Sequence, residues 1–134
     1  MKNKLSQWLT YSLIEPLEES GVQVKGVSEL TALAEYRNGG LLIDLGLIRP
    51  KNTDFFNQVF EPSSEVIVEW RAITISTFDR LAARIRQIKN FDEESFPLAK
   101  MLEGGTWHAG RRIAKKLRMD GSPPLKLKSD GTVF

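Results

Sequence analysis

The sequence contains no cysteine and only one histidine, His108. Without cysteine the chain has no disulfide and no thiolate that could act as a nucleophile or a metal ligand. A Ser-His-Asp triad would have to be built on His108, and a site with several histidine ligands is excluded. We therefore expect no metal and no cofactor, and we interpret His108 as a surface or helix-start residue.

A strong charge of one sign and a long apolar run are also missing. The formal net charge is only +2, which gives no general reason to expect a nucleic-acid partner. The first twenty residues begin with basic side chains, soon acquire glutamates, and lack the apolar stretch of a signal peptide or a membrane span. We expect a cytoplasmic protein that does not enter a membrane.

The hydrophobic pattern predicts a mainly α fold in a single domain over residues 1–134. Steps of three and four residues predict a helix from Leu5, which Pro16 should kink or end, and a long helix over 65–88. The branched residues at the start of that long helix leave a strand as an alternative. The C-terminal tail predicts a short β-hairpin that turns around Ser129-Asp130-Gly131.

Shorter elements are expected between and after these helices. Ser28 could cap a short helix that ends at the corner 35–40, and residues 41–48 predict another short helix. Pro97 suits the first position of a further helix. Gly104-Gly105 predicts a break, with a last helix opened by Thr106.

Three adjacent polar residues, Glu35-Tyr36-Arg37, precede Asn38-Gly39-Gly40 and an apolar segment. A carboxylate held beside an arginine could act as a general base or could stabilise a cationic transition state. The alternative is a corner pinned by an ion pair, with the tyrosine ring in the core. Spacing alone favours this structural alternative.

Arg71 is a second candidate, because the phase of the long helix places it within the apolar face, whereas Glu69 points nearly the opposite way. A guanidinium removed from water needs a carboxylate, carbonyls or an anionic ligand. It could clamp an anion in a cavity or fasten two helices, and both roles can hold together. Glu35 is the candidate partner.

The segment EGGTWHAGRRIAKKLR joins two glycines to a basic helix. Backbone N–H groups at such a helix start could bind an anion, although glycine pairs are also ordinary turns. The basic residues from Arg111 to Arg118 could contact nucleic-acid phosphates. Such a run is more often a solvated face, so nucleic acid is not the expected partner.

Five blocks of the sequence resemble the C-terminal part of the uracil-catabolism protein family of bacteria and fungi, long described as a domain of unknown function. They are KLSQWLTYSLIEPLE, LTALAEYRNGGLLIDLGLI, EVIVEWRAITIS, LEGGTWHAGRRIA and SDGTVF. Family members are considerably longer, so the chain resembles a C-terminal segment of such a protein. The resemblance implies a role in a route that attaches uracil to ribose phosphate, opens the ring and frees urea.

Two of these blocks also resemble, more distantly, the queuosine-salvage nucleosidases. That resemblance implies a helical domain similar to part of a DNA-glycosylase-like nucleosidase fold. Its aspartate-tyrosine-arginine corner matches Glu35, Tyr36 and Arg37, with glutamate in place of aspartate. Its glutamate-x-arginine helix matches Glu69 and Arg71.

The implied activity is that of an N-glycosidase-type hydrolase acting on a ribosylurea-like intermediate, with a nucleoside-like or sugar-phosphate substrate. Glu35 would be the catalytic residue. The substrate-binding residues would be Tyr36, Arg37, Glu69, Arg71 and Trp107. The alternative is a non-catalytic ligand-binding or assembly module of the same pathway. If the missing portion supplies half of the pocket, we expect this segment alone to show weak or no turnover and to self-associate through exposed apolar helix faces.

Overall fold

A computed structural model of the chain describes residues 4–128. Five α-helices lie within these residues: α1 (Lys4–Glu19), α2 (Tyr36–Asp44), α3 (Glu65–Lys89), α4 (Leu98–Met101) and α5 (Trp107–Leu117). A π-helical turn (Leu102–Thr106) joins α4 to α5, and two 3₁₀ turns cover Val27–Glu29 and Thr53–Phe56. Strands β1 (Val59–Phe60) and β2 (Lys126–Leu127) complete the described elements. The mainly helical fold is confirmed.

Helix α3 is the central element of the core, as its uninterrupted apolar stripe predicts. Ile67, Trp70, Thr74 and Phe78 are buried along one side of it, and their spacing of three and four residues places them on one face. The helix ends at Asn90, whose positive φ of 55° is the left-handed conformation typical of a helix C-terminus. The prediction of a single long helix rather than a strand is therefore correct.

Helix α2 begins where the sequence predicted that a helix would end. Residues 30–35 belong to no helix or strand, Glu35 is the N-cap of α2, and Gly39 and Gly40 lie inside the helix. The predicted helix after Ser28 is reduced to the 3₁₀ turn Val27–Glu29, and the predicted helix 41–48 is the second half of α2. Tertiary packing overrides the usual preference of glycine for helix ends, because both glycines lie against neighbouring side chains.

Glycines also allow close packing at the contact between α2 and α5. A Cβ at Gly110 would collide with the backbone carbonyl oxygen of Arg37, and a Cβ at Gly40 would lie 3.1 Å from Cδ of Pro124. The absence of side chains at these positions lets the two helices and the C-terminal segment approach one another. The basic residue Arg37 is thereby held beside the start of α5.

The chain passes from α4 into α5 without the break predicted at Gly104-Gly105. A single π-helical turn carries both glycines, and Trp107 rather than Thr106 is the first residue of α5. The backbone N–H of Trp107 donates to the carbonyl of Leu102 within that turn, so the chain is already helical before α5 begins. Pro97 is the N-cap of α4 rather than its first residue.

The two strands pair in parallel, with Val59 opposite Lys126 and Phe60 opposite Leu127. The first half of the predicted hairpin is thus a strand, but its partner comes from the middle of the chain. The predicted hairpin turn at Ser129-Asp130-Gly131 and the strand after it lie outside the described residues.

Helix α1 is the least buried helix, and it continues through Pro16 to Glu19. Its predicted apolar side faces outward, with 40–57% of each residue exposed at Leu5, Trp8, Leu9, Leu13 and Leu17. Two contacts with the rest of the chain come from its middle: the Tyr11 hydroxyl donates to the Thr31 carbonyl at 2.7 Å, and the Trp8 ring lies 6.3 Å from that of Trp107.

Candidate functional site

Glu35 is a buried carboxylate at the N-terminus of α2. Only 5% of the residue is exposed, and its Oε2 accepts hydrogen bonds from the backbone N–H groups of Arg37 (3.0 Å) and Asn38 (3.2 Å). These two donors and the positive end of the helix dipole stabilise a negative charge at this point. Glu35 thus caps α2 through backbone donors, and the alternative of a corner pinned by an ion pair stays a prediction.

A cavity of about 90 Å³ opens beside this carboxylate. Its walls combine aromatic rings, two carboxylates and small polar groups. The lining residues are Trp8, Tyr11, Ser12, Leu33, Glu35, Asn38, Ala99, Leu102, Glu103 and Trp107. Apolar rings around a few polar groups are typical of sites that bind small molecules.

The wall formed by Trp107 is also the point where two arginines converge. The guanidinium carbon of Arg37 lies 4.8 Å from the Trp107 ring centroid, and that of Arg111 lies 5.2 Å from it. Both distances are within the range of favourable cation–π contacts. The structure therefore brings Glu35, Arg37 and Trp107 into one region, three of the residues that the sequence assigned to the site.

Asn38 fastens this region to the π-helical turn. Its side chain is 1% exposed, and its Oδ1 accepts a hydrogen bond of 3.0 Å from the hydroxyl of Thr106. Buried amides that are hydrogen-bonded in this way fix the relative position of the elements that carry them. The contact keeps Glu35 and Trp107 on adjoining walls of the cavity.

Tyr11 is a cavity residue whose hydroxyl is held protonated. Burial, together with the nearby charge of Asp79, raises the pKa of Tyr11 to about 12. The Asp79 carboxylate itself accepts a hydrogen bond of 2.9 Å from the backbone N–H of Ala32. The single proton of this hydroxyl is donated to the Thr31 carbonyl, so toward the cavity the Tyr11 oxygen can act only as a hydrogen-bond acceptor.

No sequence pattern singles out Trp8, Tyr11 or Glu103 as site residues. Trp8 and Tyr11 are three residues apart on α1, so a helical pattern places them side by side. Glu103 belongs to the EGGTWH segment that the sequence singled out for its glycines. These three residues come together because α1 lies near the π-helical turn, and no local sequence pattern predicts that packing.

A larger groove of about 540 Å³ lies between α2, α5 and the segment after α5. Tyr36, Arg37, Arg111 and Lys115 line it, together with an ion pair between Asp44 and Arg118. That pair is bidentate, with distances of 2.6 and 2.8 Å. Tyr36 thus faces the groove, and its ring also packs against the core around Ala34 and Trp70.

Arg71 and Glu69 occupy different surroundings. Arg71 is 5% exposed, as its phase in α3 predicts, and burial lowers the pKa of its guanidinium. It is not a lining residue of the Glu35 cavity, and its pairing with Glu35 stays a prediction. Glu69 is exposed and lines a separate pocket with Arg49 and Lys51, so the structure does not bring it to the cavity.

His108 is exposed at the second position of α5, where its ring lies edge-on to Trp107 at 5.4 Å. Among residues 4–128, no group of three or more histidine, aspartate or glutamate side chains is placed to hold a metal ion. Within the same residues, no helix combines the length and the apolar character needed to span a membrane.

The sequence of the chain matches a known protein family and two known proteins. Residues 2–134 match the family described as "Protein of unknown function (DUF1688)". Two curated relatives are similar over 98% of the chain: Protein urg3 of Schizosaccharomyces pombe at 48% identity and Uracil catabolism protein 4 of Lachancea kluyveri at 39%. The chain spans about a third of the length of each relative, 34% in both cases.

No solved structure matches the chain, so the similarity to a DNA-glycosylase-like fold stays a prediction. The family match, in contrast, covers nearly every residue. The chain therefore belongs to the DUF1688 family, the uracil-catabolism protein family that its sequence blocks resemble.

Proposed function

We propose that this chain is the C-terminal segment of an enzyme of uracil catabolism that hydrolyses an N-glycosidic bond in a ribosylurea-like intermediate. The observation that carries the proposal is the position of Glu35, a buried carboxylate that lines a cavity with aromatic walls. The similarity to Uracil catabolism protein 4 of Lachancea kluyveri supports the pathway. A cytoplasmic location and self-association of the segment stay predictions.

Hydrolysis of an N-glycosidic bond requires a negative charge beside the sugar, and Glu35 can provide it. When the bond between the sugar C1 and the urea nitrogen breaks, the sugar becomes cationic, and a carboxylate on its face stabilises that charge or activates water. The oxygen of water then joins C1, one of its protons passes to the carboxylate, and the urea nitrogen leaves with a proton. A water molecule at the exposed Glu103 side chain, on the cavity wall, could supply that proton.

The other predicted residues would bind the substrate. Trp107 offers an apolar face for the sugar, and Arg37 adjoins both the cavity wall and the groove. Arg71, from within the core, would orient the carboxylate, and Tyr36 would line the path to the groove. Glu69 would take part only through the separate pocket that it lines.

The test measures urea release. A full-length relative is incubated with a ribosylurea, alongside a variant with glutamine at the position aligned with Glu35. We expect urea from the unaltered enzyme and a loss of at least a hundredfold in the variant, because glutamine retains an acceptor oxygen but not the charge. No urea from the unaltered enzyme would remove the hydrolase proposal.

A second candidate is ligand binding without catalysis. It is favoured by one observation, namely that capping of α2 by Glu35 already accounts for a buried carboxylate. In that case the ribosylurea would bind with similar affinity to both proteins, and neither would release urea.

A further inference from the structure

The groove between α2 and α5 has an excess of positive charge. Four basic and two acidic residues line it. Asp44 and Arg118 neutralise each other through their bidentate pair, and the Arg118 Nε also donates to the Ser122 carbonyl at 2.6 Å. The groove charges outside this pair are those of three basic residues, Arg37, Arg111 and Lys115, and one acidic residue, Asp120.

Within residues 4–128, none of these three basic side chains forms an ion pair with a carboxylate. Arg111 and Lys115 are four residues apart on α5, so they project from the same side of the helix. Like charges at that spacing destabilise a helix slightly unless an anion lies between them. The arrangement is thus a cost to the folded chain that a bound anion would offset.

The groove also has the size and shape of a small-molecule site. Its volume of about 540 Å³ falls within the range of pockets that hold ligands of drug size. The glycines at the α2–α5 contact and the buried Ala114 keep its floor free of long side chains. The Asp120 carboxylate, which accepts a hydrogen bond of 3.0 Å from the backbone N–H of Ser122, also lines the groove.

The groove adjoins the Glu35 cavity through Arg37. The backbone N–H of Arg37 bonds to Glu35, and its guanidinium lies over the Trp107 ring, which lines the cavity. A ligand with its sugar at Glu35 could therefore extend past Trp107 into the groove. Arginine offers a planar pair of donors to phosphate oxygens, and lysine adds a compact charge.

We propose that the groove binds the phosphate of a small phosphomonoester, with Arg37, Arg111 and Lys115 as its ligands. This inference rests on the proposed function in one respect: it takes the phosphomonoester to be the substrate of the Glu35 cavity. A polynucleotide fits less well, because the groove is concave and Asp120 opposes a long polyanion.

The first experiment measures binding without turnover, so that it is independent of the hydrolase proposal. The folded 134-residue chain is titrated with ribose 5-phosphate and with ribose by calorimetry or NMR. We expect saturable binding of ribose 5-phosphate, at least tenfold tighter than that of ribose, and displacement by inorganic phosphate. Equal affinity for the two sugars, or no binding of ribose 5-phosphate, would overturn the proposal.

Neighbouring residues of α5 provide matched variants. Lys115 lines the groove, whereas Lys116 is exposed on the same helix without lining it. Lys115→Gln should weaken the binding of ribose 5-phosphate about tenfold, and Lys116→Gln should leave it unchanged. Equal loss in both variants, or tighter binding of duplex DNA that both variants weaken alike, would mean that α5 only attracts anions nonspecifically.

The two proposals can fail separately. If phosphate binding depends on Lys115 but the full-length relative releases no urea, the assignment of the groove stands and the hydrolase proposal fails. If urea is released, Lys115→Gln does not alter that release and the chain shows no preference for ribose 5-phosphate, then the hydrolase proposal stands and the assignment of the groove fails.

Discussion

The indole N–H of Trp70 in α3 donates a hydrogen bond of 3.1 Å to the backbone carbonyl of Gly39 in α2. The two helices can approach this closely because Gly39 has no side chain. A Cβ at this position would lie 2.7 Å from the Thr74 hydroxyl and 2.9 Å from the Trp70 Nε1. The helix that carries Glu35 at its start is thereby fixed to the core of the fold.

Gly39→Ala should therefore destabilise the chain, although alanine is the better helix former by about 1 kcal/mol. Overpacking against two buried side chains costs about 1–3 kcal/mol, so we expect a net loss of about 1 kcal/mol in the free energy of unfolding. Urea denaturation followed by circular dichroism measures it. The matched control is Gly104→Ala, where a Cβ meets nothing within 4 Å. A loss at Gly104 equal to that at Gly39 would contradict the packing argument.

The ion pair between Asp44 and Arg118 should contribute much more to stability than an exposed pair. The Asp44 side chain is 4% exposed and that of Arg118 is 24% exposed. Asp44→Asn leaves the guanidinium partly buried without its anion, at a cost of about 2 kcal/mol, less than for a fully buried pair.

The control for this prediction is Glu61→Gln. Glu61 pairs with Lys128 at 3.1 Å, but both side chains are more than 60% exposed. Exposed pairs contribute about 0.5 kcal/mol or less. Thermal unfolding of both variants compares the two sites, and similar shifts in Tm would show that burial does not distinguish them.

The long helix α3 could be predicted from sequence because its apolar stripe keeps one phase over its whole length. The same phase correctly placed Arg71 in the core. The start of α2 could not be predicted in this way. Asn38-Gly39-Gly40 has the composition of a helix end. In the structure these residues are helical, and Trp70 and Pro124, which are distant in sequence, pack against the two glycines.

Local sequence blocks single out part of the candidate region, although the roles of its residues stay predictions. Glu35, Arg37 and Trp107 were identified from local blocks, and the structure places them in one region. The contribution of Tyr11 and Glu103 depends on how α1 and the π-helical turn pack, which is a long-range property. The parallel pairing of β1 with β2 is likewise long-range, since no short sequence pattern links the two strands.

Tyr11 should make stability depend on pH in alkaline solution. Its pKa rises from 10.0 in the unfolded chain to about 12 in the folded chain, so the folded state holds the proton more tightly. The contribution of Tyr11 to stability is complete below pH 10 and is lost as the pH rises from 10 towards 12.

The measurement is urea denaturation between pH 8 and about 12, compared with Tyr11→Phe. The phenylalanine variant loses the hydrogen bond to the Thr31 carbonyl, so we expect it to be less stable at pH 8 by about 1 kcal/mol. The difference between the two proteins should shrink as the pH rises. A difference that stays constant would show that Tyr11 does not titrate in this range.

Glu35 has two possible roles, capping α2 and acting on the substrate, and three substitutions separate them. Glu35→Ala removes the acceptor of both cap hydrogen bonds and should cost about 1 kcal/mol of stability. Glu35→Gln keeps an acceptor oxygen and should retain most of that stability. Glu35→Asp keeps both the acceptor and the charge, with the carboxylate one methylene further back.

If Glu35 acts only as a cap, urea release in the corresponding variants of a full-length relative should follow stability, so that the glutamine variant is nearly as active as the aspartate variant. If the carboxylate acts on the sugar, the glutamine variant should lose at least about a hundredfold in activity while it retains most of its stability. The aspartate variant should then keep a measurable fraction of the activity, because a negative charge still faces the cationic transition state. Unfolding free energies and initial rates measured on the same preparations decide between the two.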